Sequence, residues 1–152
     1  MIQTAFYPST IAWIELRYIE QKLLSLALIA PQTWGGQRSA FSDKVYWQIT
    51  EYFEGRRKSF DISYALSGTP FQLRVWNALC EIPYGETRSY KDIAVRIGQP
   101  KACRAVGRAN HSNPIMIMIP CHRVIGANGA LSGYAGGVEI KKKLLELEAQ
   151  NR

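Results

Sequence analysis

The sequence predicts two small domains: an α/β unit over residues 1–67 and a mostly α unit with a helix-turn-helix over residues 68–152. Three observations predict this division. The first part alternates apolar and polar residues at strand period and then shows one helical stripe, whereas the second is helical in period and broken by caps, glycines and prolines. Charge divides at the same place. Residues 1–67 hold seven Lys/Arg and six Asp/Glu, and residues 68–152 hold twelve and six. A length of 152 residues, 47% hydrophobic and 20% charged, suits one or two globular domains and not a disordered chain.

In the first unit, Ile14, Leu16 and Tyr18 alternate with Glu15 and Arg17, and Leu24, Leu26 and Leu28 repeat the pattern after a polar turn. Pro31 to Ser39 reads as loop. A helix follows from about Ser42 to Phe53, with Val45, Ile49, Tyr52 and Phe53 on one face and Gly55 as its stop. The unit has neither Cys nor His, so its expected task is structural. Asp61 to Gly68 reads as a linker.

The second unit opens with Thr69-Pro70, a hydroxyl cap followed by proline at the first turn. Its first helix buries Phe71, Val75, Ala78, Leu79 and Ile82, and Pro83 to Glu86 turn the chain. Ser89 with Asp92 forms a capping-box pattern for a short helix burying Ile93, Ala94 and Ile97. Gly98 ends that helix, and Pro100 starts another through Asn110, completing the helix-turn-helix pattern. Lys101, Arg104 and Arg108 fall on one face of it. Between Arg88 and Arg123, seven basic residues face one acid, Asp92. A polyanionic partner such as nucleic acid fits this excess, as does a plain solvated face.

The chemistry concentrates further on. Ile115 to Ile119 is wholly apolar, the pattern of a strand buried on both faces, and leads into Pro120-Cys121-His122-Arg123-Val124. A thiol beside an imidazole and a guanidinium is a candidate ionised nucleophile. Cys80 and Cys103 read as small packing residues. In the last helix, Ile140, Leu144 and Glu148 share a stripe, so Glu148 is a carboxylate on an apolar face near the negative helix end. His122 is its expected partner, in a relay through water; a solvated terminus is the alternative. The glycine-rich stretch Gly126 to Gly137 around Tyr134 could wall a pocket for a flat ligand.

These residues resemble the O6-alkylguanine-DNA alkyltransferases, also called methylated-DNA–protein-cysteine methyltransferases. The likeness rests on Pro120 to Val124, Thr69-Pro70-Phe71-Gln72 with Val75-Trp76, Ile82-Pro83 with Gly85, and Ser89-Tyr90. Ala105-Val106-Gly107, Ser112-Asn113-Pro114 and Gly133 to Gly137 continue it in family order. It spans about Thr69 to Glu148. The resemblance implies a ribonuclease H-like N-terminal domain and a winged-helix-like C-terminal one.

It also implies DNA repair by single-turnover, irreversible transfer of an alkyl group from O6-alkylguanine to Cys121, with O4-alkylthymine a second candidate substrate. The product is a thioether, which thiol exchange does not reverse. Catalytic roles fall on Cys121, His122, Glu148 and Asn113. Substrate and DNA contacts fall on Tyr90, Arg104, Gln72, Lys91, Gln99, Lys101, Arg123, Tyr134 and Ala135, with the base flipped through the minor groove. Tyr90 matches the residue pressing on the flipped nucleotide's phosphate, and Arg104 the one replacing the base in the stack. The implied partner is double-stranded DNA carrying the lesion, met by a monomer or by copies cooperating along DNA.

No cofactor, metal or membrane is expected. There is no C-x-x-C, no Walker sequence and no dinucleotide fingerprint; no apolar run approaches the ~18 residues of a membrane helix. The N-terminus lacks a secretory pattern and three cysteines suit a reducing compartment, so a cytoplasmic protein is expected. His111 stands where a small or basic residue is expected. Two other readings compete: a helix-turn-helix module that binds DNA without chemistry, against which Cys121 argues, and a cysteine hydrolase, which leaves the basic helix unexplained.

Overall fold

The computed structural model describes residues 1–131 and 133–152; Ser132, inside the glycine-rich stretch, lies outside the described residues. Two compact units divide the chain, Met1–Leu66 and Ser67–Arg152. Small sheets combined with five α-helices make up the architecture among the described residues, where no helix is long and apolar enough to cross a membrane.

In the first unit, β1 (Gln3–Tyr7), β2 (Trp13–Ile19) and β3 (Lys22–Ile29) form an antiparallel sheet in sequence order. Ala5 faces Leu16 and Ile14 faces Leu28. Alternation puts Ala5, Tyr7, Ile14, Leu16 and Tyr18 in the core. The expected Leu24–Leu26–Leu28 face is corrected at its start. Tyr18 pairs with Leu23 and Arg17 with Ser25, leaving Leu24 as the extra residue of a bulge. The bulge flips the side-chain phase, so Leu23, Leu26 and Leu28 are buried.

Helix α1 (Ala40–Phe53) starts earlier than the periodicity suggests, because Ser39 and Ser42 form a reciprocal capping box. Phe41, Val45, Ile49 and Tyr52 form its buried stripe, and Gly55 follows at φ +77°. The Tyr7 hydroxyl donates to Asp43 Oδ1 at 2.6 Å, tying β1 to α1. Residues 61–66 are more than a linker. Leu23 N donates to the Ser63 carbonyl and Ala65 N to the Leu23 carbonyl, each at 3.0 Å, so this segment extends along β3.

In the second unit, α2 (Pro70–Leu79) opens on a capping box between Thr69 and Gln72, and α3 (Tyr90–Arg96) on one between Ser89 and Asp92. Helix α4 (Cys103–His111) packs on both, and Trp76 Nε1 donates to the Ala109 carbonyl at 2.9 Å. Between α3 and α4, Gly98 at φ +79° lets Gln99 N reach back to the Ala94 carbonyl, which closes α3. Lys101 lies in the turn before α4, not on it, so the helix's exposed basic stripe is Arg104, Arg108 and His111. β4 (Arg88–Ser89) and β5 (Val124–Ile125) pair in parallel, and α5 (Val138–Gln150) closes the unit.

The apolar run from Ile115 to Ile119 is not a strand. Met118 N bonds the Met116 carbonyl and Ile119 N the Ile115 carbonyl, so it folds into a buried turn. Ile117 adopts φ +73°, a region that crowds a β-branched side chain and costs about 1–3 kcal/mol. Burial of Ile115, Met116, Ile117 and Ile119 holds the turn in place. The other two thiols are not core residues: Cys80 caps α2 at the surface, and Cys103 is half-buried at the start of α4.

Candidate active site

The buried turn delivers the chain to a 3-10 turn at Cys121–Arg123, all three of whose side chains are buried. Asn113 shapes the approach. Its Nδ2 donates to the Ile119 carbonyl at 2.7 Å, and its Oδ1 accepts from Ile115 N at 3.0 Å. Asn110, at the end of α4, donates to the Cys121 carbonyl at 3.3 Å.

Glu148 is the hub of the site, reaching in from α5 at 1% exposure. Its Oε2 accepts from His122 Nε2 at 2.6 Å and from Arg123 Nη2 at 3.0 Å. Its Oε1 accepts from Arg123 Nε at 2.8 Å and from Gly85 N at 3.1 Å. A buried carboxylate is tolerated when its charge is paired and its oxygens are bonded, and both conditions hold. Nε2 of His122 therefore carries a hydrogen, and Nδ1 is the basic atom of the neutral ring.

Electrostatics correct one expectation. Burial pushes the Cys121 thiol from its ordinary 9.0 up to about 11, against opposing pulls from the Asn113 hydrogen bond and the Lys141 charge. The resting sulfur is thus a thiol, not the ionised group expected from its neighbours in sequence. Burial also lowers the His122 pKa, outweighing Glu148, so its ring is neutral and able to accept a proton. The run Lys141-Lys142-Lys143 masks Lys141, whose side chain is fully buried on α5, one and two turns from Leu144 and Glu148. That i, i+3, i+7 spacing was the available signal.

Arg123, expected at the substrate, faces Glu148 instead; its remaining Nη1 donates to the Ile82 carbonyl at 2.7 Å. Gln72 lies on α2, where its side-chain Oε1 accepts from Thr69 N at 3.0 Å. Tyr90, half-buried, has its ring 5.9 Å from Lys141 Nζ. Tyr134 is buried and Ala135 exposed. Tyr90, Arg104, Gly107, Arg108, His111 and Gly133 line a groove of about 660 Å³ over α4. Lys91 lines a separate groove of about 620 Å³ with Arg88 and Arg96, and Gln99 and Lys101 flank the turn between α3 and α4.

Residues 70–150 match the family model for the DNA-binding domain of 6-O-methylguanine DNA methyltransferase. The chain belongs to this family. A methylated-DNA–protein-cysteine methyltransferase of Methanosarcina barkeri is 56% identical over 80% of this chain and 76% of its own. The O6-methylguanine methyltransferase structure from Mycobacterium tuberculosis superposes with a TM-score of 0.90 at 45% identity, covering 100% of this chain and 95% of that one. The mycobacterial protein solved in complex with DNA gives 0.88 at 47% identity, over 96% and 92%. Within this methyltransferase family, then, the cluster around Glu148 is where the chain's own chemistry is to be sought.

Proposed function

We propose that this chain repairs DNA by moving the alkyl group of an O6-alkylguanine onto Cys121, once per molecule. What supports the reading is the buried 3-10 turn that carries Cys121 next in sequence to His122 and Arg123, both bonded to Glu148, in a chain of the methyltransferase family. The thiol proton passes to His122 Nδ1, directly or through water. The sulfur then forms its bond to the alkyl carbon as the bond from that carbon to O6 breaks, and the departing guanine takes up a proton. Glu148 holds the imidazole's orientation and stabilises its charged form, while Arg123 keeps Glu148 ionised.

DNA is the partner that the basic stripe of α4 fits, and the M. tuberculosis relative has been solved with it. Gly107 leaves that face low, as approach to a minor groove requires. Tyr90 presses on the flipped nucleotide, Arg104 fills the gap in the stack, and Tyr134 and Ala135 flank the alkyl group. Lys91, Gln99, Lys101 and Gln72 contribute backbone contacts nearby. The finer fold names belong to the same reading: a ribonuclease H-like first unit, supported by its antiparallel sheet followed by α1, and a winged-helix-like second unit, supported by α3 and α4 beside the β4–β5 pair. The protein acts in the cytoplasm as a monomer.

The test uses duplex DNA bearing one O6-methylguanine, followed by digestion and mass measurement of the Cys121 peptide. One methyl per protein is expected there, and none in Cys121→Ala. Binding without modification of the wild-type thiol would favour a DNA-recognition module instead.

A further inference from the structure

His111 closes α4, exposed at one end of the groove that Arg104 and Arg108 line. Its Nδ1 lies 3.0 Å from the Gly133 carbonyl oxygen. A carbonyl can only accept, so Nδ1 bears the hydrogen and donates it. Gly133 adopts φ +69°, and a Cβ built on it would lie 3.3 Å from the Tyr90 hydroxyl. Gly133 therefore lies close to the Tyr90 hydroxyl as well as to the His111 imidazole.

One residue later the chain dives inward. Tyr134 is 5% exposed. Its ring and Met116 both approach Gly136 so closely that a Cβ there would stand 3.0 Å from each. Among the described residues, Gly126 N bonds the Ala130 carbonyl and Gly137 N the Tyr134 carbonyl within the loop, and the Gly137 carbonyl accepts from Lys141 N of α5. The His111 bond ties the loop to a second helix, α4. A glycine-rich segment loses much conformational freedom when ordered, so an external anchor has a large effect on how well it is held.

We propose that His111 is a positioning residue whose clasp on the Gly133 carbonyl holds residues 133–137 as a wall of the alkyl pocket, and so governs transfer rate and tolerated alkyl size. This rests on the alkyl-transfer reading above. The clasp also joins the α4 face that lines the groove to the loop bearing Tyr134.

The test compares wild type with His111→Ala, His111→Asn and His111→Gln. An Asn amide occupies the place of Nδ1 and restores the donor, whereas the longer Gln amide reaches the place of Nε2. Four quantities are measured: duplex affinity by anisotropy, single-turnover rate at saturating O6-methylguanine duplex, rates with free O6-methylguanine and O6-benzylguanine bases, and amide hydrogen exchange across residues 126–137. In His111→Ala, the rate at saturation should fall about tenfold, the worth of one such bond, on duplex and free methylated base alike. The benzyl-to-methyl rate ratio should rise, exchange should quicken, and duplex affinity should change less than about threefold. His111→Asn should recover most of the rate and His111→Gln little.

A loss confined to duplex affinity, with the saturated rate intact, would show a mere phosphate contact and overturn the proposal. So would an Asn variant no better than Ala. If wild type left Cys121 unmodified, the alkyl-transfer reading would fall by itself, and unchanged exchange in His111→Ala would separately dispose of the clasp.

Discussion

Replacing Glu148 by Gln tests whether the network around it is a true charge pair. The wild-type carboxylate receives four hydrogen bonds from His122, Arg123 and Gly85 while 1% exposed. Glutamine keeps the shape but loses the charge, and one of its two former acceptor positions becomes an NH₂ facing N–H donors. Arg123, at 7% exposure, is then a buried cation without its counter-ion. Breaking such a pair on one side costs about 3–5 kcal/mol. In a unit of this size each kcal/mol lowers the melting temperature by roughly 4–8 °C, so a fall of about 12 °C or more is expected. The assay is urea and thermal unfolding followed by circular dichroism, with Arg123→Met and the Glu148→Gln/Arg123→Met pair alongside. Because the pair removes both charges, it should be more stable than the sum of the singles predicts by about 2 kcal/mol. A Glu148→Gln protein within about 1 kcal/mol of wild type, or strict additivity, would refute the reasoning.

Stability should also fall at both ends of the pH scale. The folded Cys121 holds its proton to about pH 11 whereas the unfolded thiol loses it near 9.0, so stability drops as pH rises through that window. The two-unit difference corresponds to about 3 kcal/mol, and Cys121→Ala should lose that part of the alkaline slope in pH-dependent urea titrations. His122 has a lowered pKa when folded, so the unfolded chain binds more protons and stability falls as pH drops below the ordinary imidazole value of 6.5. Arg104→Ala should slow repair of duplex lesions while sparing free O6-alkylguanine base; equal losses on both substrates would contradict its assignment to the base stack. Ser39→Ala removes one side of the α1 capping box and should cost about 1 kcal/mol in urea unfolding.

The buried cluster of Cys121, His122 and Glu148 was legible because Cys121 and His122 are consecutive and Glu148 sits in phase with Leu144, a placement that needs a buried partner. Arg123 was visible but misdirected: sequence shows a cation beside a thiol, not the carboxylate that folding brings to it. Thiol ionisation failed for a related reason, since neighbouring charge is written in the chain and desolvation is not. Lys141 was hidden by its two lysine neighbours, although helical phase separates it from them. The turn at Ile115–Ile119 was misread because an apolar run records burial and leaves backbone conformation open. Likewise, the bulge at Leu24 depends on the register with β2 and has no local mark.

The surface position of Cys80 has a practical consequence when set beside the depth of Cys121. Maleimide, Ellman's reagent or iodoacetamide added to the intact protein would meet Cys80 first and the half-covered Cys103 next. A titre of rapidly reacting sulfhydryls would therefore count bystanders, and a preparation could score as fully reduced while every functional copy was spent.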